Sequence, residues 1–271
     1  MDLSQFTKNG KFLMLAIDHQ EGFKKMLNPQ NPQSVSSEQI IELKSQILNA
    51  LKDEFTAVLL DMEYGLQAYQ GITKPYLLRI EKSGYVEKDG IKIMELEHTA
   101  SKLREKGASG VKLLLYCNPF ANTTLNEVEK AKKVLEDSHN NGLPLFLEIL
   151  TYFNANKDIS KGDLILKSIK LFLDNGMRPD VWKLEYPEND RLCFQITELV
   201  KSTPWIVLSG GVDFDHFQQQ QKIAATNGAS GFLAGRAVWQ DVVQYQGKER
   251  ERFLQTTIKQ RFSELSQIAL L

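Results

Sequence analysis

Eight short apolar runs, most followed by a stretch of helical periodicity, constrain the fold of this chain more than any other feature. The runs occupy 11–18 (KFLMLAID), 56–63 (TAVLLDME), 75–81 (PYLLRIE), 109–116 (SGVKLLLY), 143–150 (LPLFLEIL), 180–186 (DVWKLEY), 204–210 (PWIVLSG) and 229–235 (ASGFLAG). Most are continuously apolar rather than alternating, as parallel strands covered on both faces are. Helical patterns lie between them at 36–53, 96–107, 124–142, 163–176, 189–202 and 215–228, and one last helix is expected over roughly 248–268. The segment YGLQAYQG, between the second and third runs, is too short for a full helix. This alternation predicts a single α/β domain over residues 1–271, a (β/α)8 TIM barrel. The competing fold, an open doubly wound sheet, would place GxGxxG after its first strand in a dinucleotide-binding form, and none is present.

Two strings, GASGVKL (107–113) and GASGFLA (228–234), each lead a helix end into a strand, four strands apart. Half-barrel duplication and the ordinary reuse of Gly and Ser in tight turns both account for them. Net charge is −1, which predicts neither nucleic-acid binding nor attraction to a membrane surface. No apolar run is long enough to span a bilayer. The two cysteines, Cys117 and Cys193, sit in apolar surroundings, and no signal peptide is evident, so the expected location is the cytoplasm. Homo-oligomerisation stays open.

In a barrel of this type the reactive side chains project from the carboxyl ends of the strands. Those ends carry Asp18-His19-Gln20, Asp61, Glu81, Lys112 with Tyr116, Glu148, Lys183 with Glu185, Ser209-Gly210-Gly211 and Gly235-Arg236. Lys112, Glu148 and Lys183 interrupt the fourth, fifth and sixth runs, which are neighbours in a barrel. Pointing inward, two amines and a carboxylate converge. Burial and a nearby ammonium together can supply the ~4 kcal/mol that brings a lysine pKa down to between about 7 and 8. The neutral amine then adds to a ketone, and the resulting iminium accepts the electrons of a breaking carbon–carbon bond, with Glu148 as proton shuttle. The plainer alternative is a buried Lys–Glu ion pair. Ser209, Gly210, Gly211, Gly235 and Arg236, after the last two strands, suit a phosphate. His19, His98, His139 and His216 form no ligand spacing, so neither metal nor other cofactor is expected.

The strings LLDMEYGLQA, EKSGY, VKLLLY, PLFLEILTY, DVWKLEYP, IVLSGGVD and GASGFLAGRAVWQDVV resemble the class I tagatose-1,6-bisphosphate aldolase family. The last string is also similar to the bacterial sulfofructosephosphate aldolases of the same group. Order and spacing match from about residue 11 to 243. The resemblance implies a TIM barrel, a metal-free Schiff base, and reversible cleavage of a ketose phosphate to dihydroxyacetone phosphate and an aldehyde. By position it makes Lys183 the Schiff-base lysine, Glu148 the acid/base and Lys112 the second lysine. It assigns Ser209, Gly210, Gly211, Gly235 and Arg236 to the phosphate of the dihydroxyacetone half. Asp18, His19, Gln20 and Asp61 complete the expected substrate-binding set.

The first strand departs from the family's Asp-Gln-Arg ending. Here it reads Asp18-His19-Gln20, then Glu21, so the arginine expected to meet the far anion is absent. His19 supplies a charge only when protonated, and Lys74 or Arg79 are candidate replacements. The aldehyde half is therefore open between glyceraldehyde 3-phosphate and a sulfo- or deoxy-sugar fragment. Two other classes compete: a regulatory sugar-phosphate-binding barrel, and a phosphosugar isomerase or epimerase. Trp205 and Trp239 read as packing residues, and FQQQQK (217–222) as a solvated helix face. Glu185 reads as an orienter of Lys183 or the partner of a basic neighbour.

Overall fold

In the computed structural model, which describes residues 1–121, 123–153 and 159–271, each apolar run forms one parallel strand. The strands are β1 Lys11–Ala16, β2 Ala57–Leu60, β3 Tyr76–Arg79, β4 Gly110–Cys117, β5 Leu145–Thr151, β6 Val181–Leu184, β7 Trp205–Leu208 and β8 Gly231–Ala234. Each pairs with the next in sequence, and β8 pairs back with β1, so the sheet closes. The expected eight-stranded barrel is present.

The helices are α1 Glu21–Leu27, α2 Ser37–Leu51, α3 Gly65–Ala68, α4 Ala100–Glu105, α5 Thr124–Asn140, α6 Lys161–Asp174, α7 Asp190–Val200, α8 Phe214–Thr226, α9 Arg236–Trp239, α10 Gly247–Gln255 and α11 Thr257–Leu270. Side chains cap the starts of several helices. Ser36 and Gln39 cap α2 reciprocally, and Ser160, Asn189 and Asp213 each accept a backbone N–H at the start of α6, α7 and α8. As expected, the link from β2 to β3 holds only the single turn α3.

The four α-to-β turns after α4, α5, α6 and α8 share one device. Gly107, Gly142, Gly176 and Gly228 take positive φ. The next residue's N–H then reaches a carbonyl five positions back, as in Ala108 to Leu103 and Ala229 to Ala224. Because two turns outside the GASG strings use the same device, the strings are accounted for by helix termination.

Side chains alternate between two cores. Outward residues such as Leu13, Leu15, Val58, Leu78, Val111, Leu147 and Trp182 pack with the helices. Inward residues Phe12, Met14, Ala57, Leu59, Leu77, Phe146, Val181, Ile206 and Leu233 form a separate inner core with Phe6. Phe6 precedes β1, and its ring meets Phe146 edge-on at 5.4 Å, while Phe12 meets Phe146 at 5.9 Å. These rings close the amino-terminal end of the barrel. Above them, on β3 to β6, the inward positions turn polar.

Two expectations are corrected. The last helix is two helices, because Thr256 leaves helical geometry (φ −116, ψ −70) and sends both its N–H and its hydroxyl to the Arg252 carbonyl. The FQQQQK tract is not wholly solvated, since Phe217 and Gln221 are both fully buried. Among the described residues no helix is long and apolar enough to cross a membrane.

Candidate active site

The carboxyl ends of the strands surround an open cavity of about 450 Å³. Register builds its reactive wall: Glu148 on β5 pairs directly with Lys183 on β6, and both side chains point inward. Lys183 is 5 % exposed, and its Nζ lies 2.8 Å from Glu148 Oε2. Lys112 Nζ lies 2.9 Å from the same oxygen. One carboxylate oxygen thus stands between two amines.

Lys112 also contacts Glu81 Oε1 at 2.6 Å and Asp18 Oδ2 at 3.5 Å. Glu81 accepts the Leu114 N–H at 3.2 Å through its other oxygen. Burial alone would lower the pKa of Lys112, but Glu148, Glu81 and Asp18 outweigh it and raise that pKa above the ordinary lysine value. Burial alone would raise Glu148, yet Lys112 and Lys183 hold it below the ordinary carboxylate value. Asp18 is likewise held low against burial, chiefly by Lys112. Lys112 is therefore a fixed cation balanced by three carboxylates. The expected direct opposition of two ammonium groups is replaced by contact through Glu148.

The glycine loop after β7 lies near Arg236. Gly210 and Gly211 take φ of 58 and 86, and a Cβ on Gly211 would lie 2.7 Å from Arg236 Cζ. The Gly235 N–H donates to Ser209 Oγ at 3.4 Å, joining the ends of β7 and β8. Arg236 has no carboxylate within 4.0 Å among the described residues. The cavity can hold an anion against this corner and a carbonyl against Lys183.

The model of the DeoC/LacD family aldolases matches residues 12–241. This chain belongs to the DeoC/LacD aldolase family. It is 29% identical to the tagatose 1,6-diphosphate aldolase of Lactococcus lactis subsp. lactis, over 96% of the chain and 91% of the relative. The Staphylococcus haemolyticus enzyme of the same name is also 29% identical, over 96% and 92%. Among solved structures, a Schiff base-forming fructose-1,6-bisphosphate aldolase superposes with TM-score 0.67 at 19% identity, covering 95% of this chain and 97% of that one. The Plasmodium falciparum fructose-bisphosphate aldolase reaches TM-score 0.75 at 15% identity, covering 98% and 92%. At those identities the likeness speaks for the fold.

The remaining expected residues of this DeoC/LacD aldolase divide. His19 reaches the cavity beside Gly235, and its ring meets Trp239 edge-on at 5.5 Å. Burial, with Arg236, Lys44 and Lys183, pushes its pKa down to about 4 against the pull of Asp18. His19 is neutral at pH 7 and does not replace the missing arginine. Asp61 does not line the cavity. It is fully buried, paired with the equally buried Lys44, and accepts the N–H groups of Tyr64 and Gly65 at the start of α3. These contacts hold the start of α3 from below, and Lys44 within an ordinary amphipathic helix gave no sign of them. Lys74 is exposed and precedes β3, at the closed end of the barrel, so it is no replacement either.

Glu81, read from sequence only as a strand-end acid, and Arg79, read only as a candidate replacement charge, both belong to the site. Both lie on the inward face near the end of β3, two positions apart, and both line the cavity. Their spacing was the available signal. Glu185 binds Lys161 at 2.8 Å and accepts the Thr151 N–H and hydroxyl at 2.7 and 2.9 Å, so it pairs with a basic neighbour rather than orienting Lys183.

The rim carries one further feature. A hairpin of Val86–Lys88 and Ile91–Ile93 projects from the β3–α4 connection. Its Lys92 Nζ lies 4.8, 5.1 and 5.7 Å from the ring centroids of Tyr85, Tyr116 and Tyr152. Tyr116 lines the cavity, so this cation–π cage ties the hairpin to the active-site wall. Lys92→Met is expected to cost about 1 kcal/mol of hairpin closure, roughly a fivefold rise in the open population. Limited proteolysis between residues 85 and 93 reads that rise, and Lys92→Arg should reverse it. Equal cleavage of all three proteins would remove the cage as a fastening.

Proposed function

We propose that this protein is a metal-independent class I aldolase that reversibly cleaves a ketose 1,6-bisphosphate, tagatose 1,6-bisphosphate first among the candidates. The products are dihydroxyacetone phosphate and glyceraldehyde 3-phosphate. One observation carries the reading: a nearly buried amine, Lys183, on the wall of a sugar-sized cavity and 2.8 Å from a carboxylate. The names of the 29%-identical relatives support the substrate class.

The chemistry follows from the contacts. Glu148 takes a proton from Lys183, and the amine adds to the C2 carbonyl to form a carbinolamine. Return of a proton expels water and leaves an iminium. Glu148, ionised again, takes the C4 hydroxyl proton as the C3–C4 bond breaks, the electron pair moves to the iminium to give an enamine, and the aldehyde departs. Protonation at C3 and addition of water then release dihydroxyacetone phosphate and the free amine. Lys112 stays charged throughout and keeps Glu148 ionised in the resting site, ready to accept the Lys183 proton. The corner of Ser209, Gly210, Gly211, Gly235 and Arg236 takes the phosphate of the dihydroxyacetone half.

The test is to incubate the protein with dihydroxyacetone phosphate and a chelator, add borohydride, and map the intact-mass shift to a peptide. A reduced adduct on Lys183 is the expected result. A folded protein that binds the ligand but yields no adduct would return the choice to the regulatory barrel or the isomerase.

A further inference from the structure

Five cationic side chains line the cavity: Arg79, Lys82, Lys112, Lys183 and Arg236. Lys112 and Lys183 sit against the internal carboxylates, and Lys82 pairs with Glu95 at 3.5 Å. Only Arg79 and Arg236 have no carboxylate within 4.0 Å among the described residues. Arg79 ends β3 and Arg236 opens α9 just after β8, strands three apart around an eight-stranded ring, with Lys183 on the far arc between them. A cavity with two unpaired guanidinium groups on separate walls suits a substrate that carries an anion at each end.

Arg79 is 8 % exposed, and so deeply placed a cation would ordinarily be paired. Carboxylates are close at hand. A recess beside Arg79 is lined by Glu63 and Glu97, and Asp61 lies beneath. The Gln20 amide separates them. Its Nε2 donates to Asp61 Oδ1 at 3.3 Å and Glu63 Oε2 at 3.1 Å, and its Oε1 accepts from Arg79 Nη2. The buried Lys44–Asp61 pair fixes one of those acceptors, so the amide is oriented with its oxygen toward the guanidinium. Gln20 thus satisfies one donor of Arg79 without neutralising it, and occupies the carboxylates that would.

Resting on the aldolase reading above, we propose that Arg79 receives a tetrahedral oxyanion at the end of the substrate opposite the Arg236 corner, and that Gln20 is the positioning residue that keeps it free. The group is a phosphate ester, and a sulfonate shares its tetrahedral shape with a single negative charge. The replacement for the absent first-strand arginine therefore comes from β3.

The experiment compares kcat/KM for a ketose 1,6-bisphosphate, the matching ketose 1-phosphate and the matching 6-sulfo ketose 1-phosphate. The proteins are the unaltered full chain, Arg79→Met, Arg79→Lys and Gln20→Ala. Arg79→Met is expected to lower kcat/KM for the bisphosphate about 100-fold, mostly through KM, and that for the 1-phosphate by less than about tenfold. Arg79→Lys should fall between, and Gln20→Ala should show the same selective loss, smaller in size. A preference for the sulfo compound that disappears in Arg79→Met would keep the receptor and change its natural group. Equal losses on bisphosphate and 1-phosphate in Arg79→Met overturn the proposal. If that variant does not fold, equal losses in Arg79→Lys and Gln20→Ala overturn it. Borohydride trapping of dihydroxyacetone phosphate separates the two levels. An adduct without end-group selectivity removes only Arg79 as receptor, whereas no adduct in the unaltered protein removes the aldolase reading and this inference with it.

Discussion

Lys183→Met abolishes the borohydride-trapped adduct and lowers kcat by at least about 10⁴-fold, the scale on which an enzyme loses its only covalent nucleophile. The side chain is 5 % exposed and the methionine replacement nearly matches its volume, so the loss reports chemistry rather than a hole in the wall. Glu148 keeps Lys112 at 2.9 Å in the variant, which should therefore remain folded. Circular dichroism together with single-turnover cleavage checks both halves of the statement. A variant that retains more than about a hundredth of the rate would mean that the bond is broken without an iminium at this position.

The second large effect is on stability. Lys112→Met leaves Glu81, Asp18 and Glu148 around an apolar side chain, and the expected loss at neutral pH is about 3–5 kcal/mol. The pH dependence has a definite sign. Asp18 and Glu148 are held below their ordinary 3.8 and 4.5, so their stabilising contribution is complete above those values and is lost as pH falls through the depressed ones. Lys112 is raised above 10.5, so its contribution is complete below that value and is lost only as pH rises through the raised one. In the variant Asp18 and Glu148 lose the cation that holds them low and protonate more readily. The gap between the two proteins should accordingly be widest near neutrality and narrow toward about pH 5. Urea unfolding at both pH values measures it. A gap below about 1 kcal/mol, or one that widens on acidification, would contradict Lys112 as the cation that holds the cluster together.

The barrel was legible because its strands are covered on both sides, which leaves long apolar runs at regular intervals. The same property hid the direction of each side chain, since an apolar residue suits either face. Lys112, Glu148 and Lys183 resolved that ambiguity for three strands. A lysine facing the helices would have met only hydrocarbon, so these had to face the interior. Asp61 shows where such reasoning stops. Its place at a strand end was read correctly, but its partner Lys44 lies on α2, and nothing local distinguishes a buried lysine from an exposed one on that helix. Arg79 and Gln20 were invisible as a pair for a similar reason: 59 residues separate them, and the contact exists only once β1 and β3 stand in the same ring. The hairpin latched by Lys92 lies in a stretch without apolar periodicity and left no trace at all.

The three phenylalanine rings at the foot of the barrel turn it into a vessel with one opening. Reactants, products and the hydrolytic water must all use the same mouth. On the proposed chemistry, one half of the cleaved sugar stays covalently tethered, so the free aldehyde must leave before the second fragment can be released. Traffic is sequential by geometry, and a molecule of aldehyde that lingers is positioned to run the reaction backward.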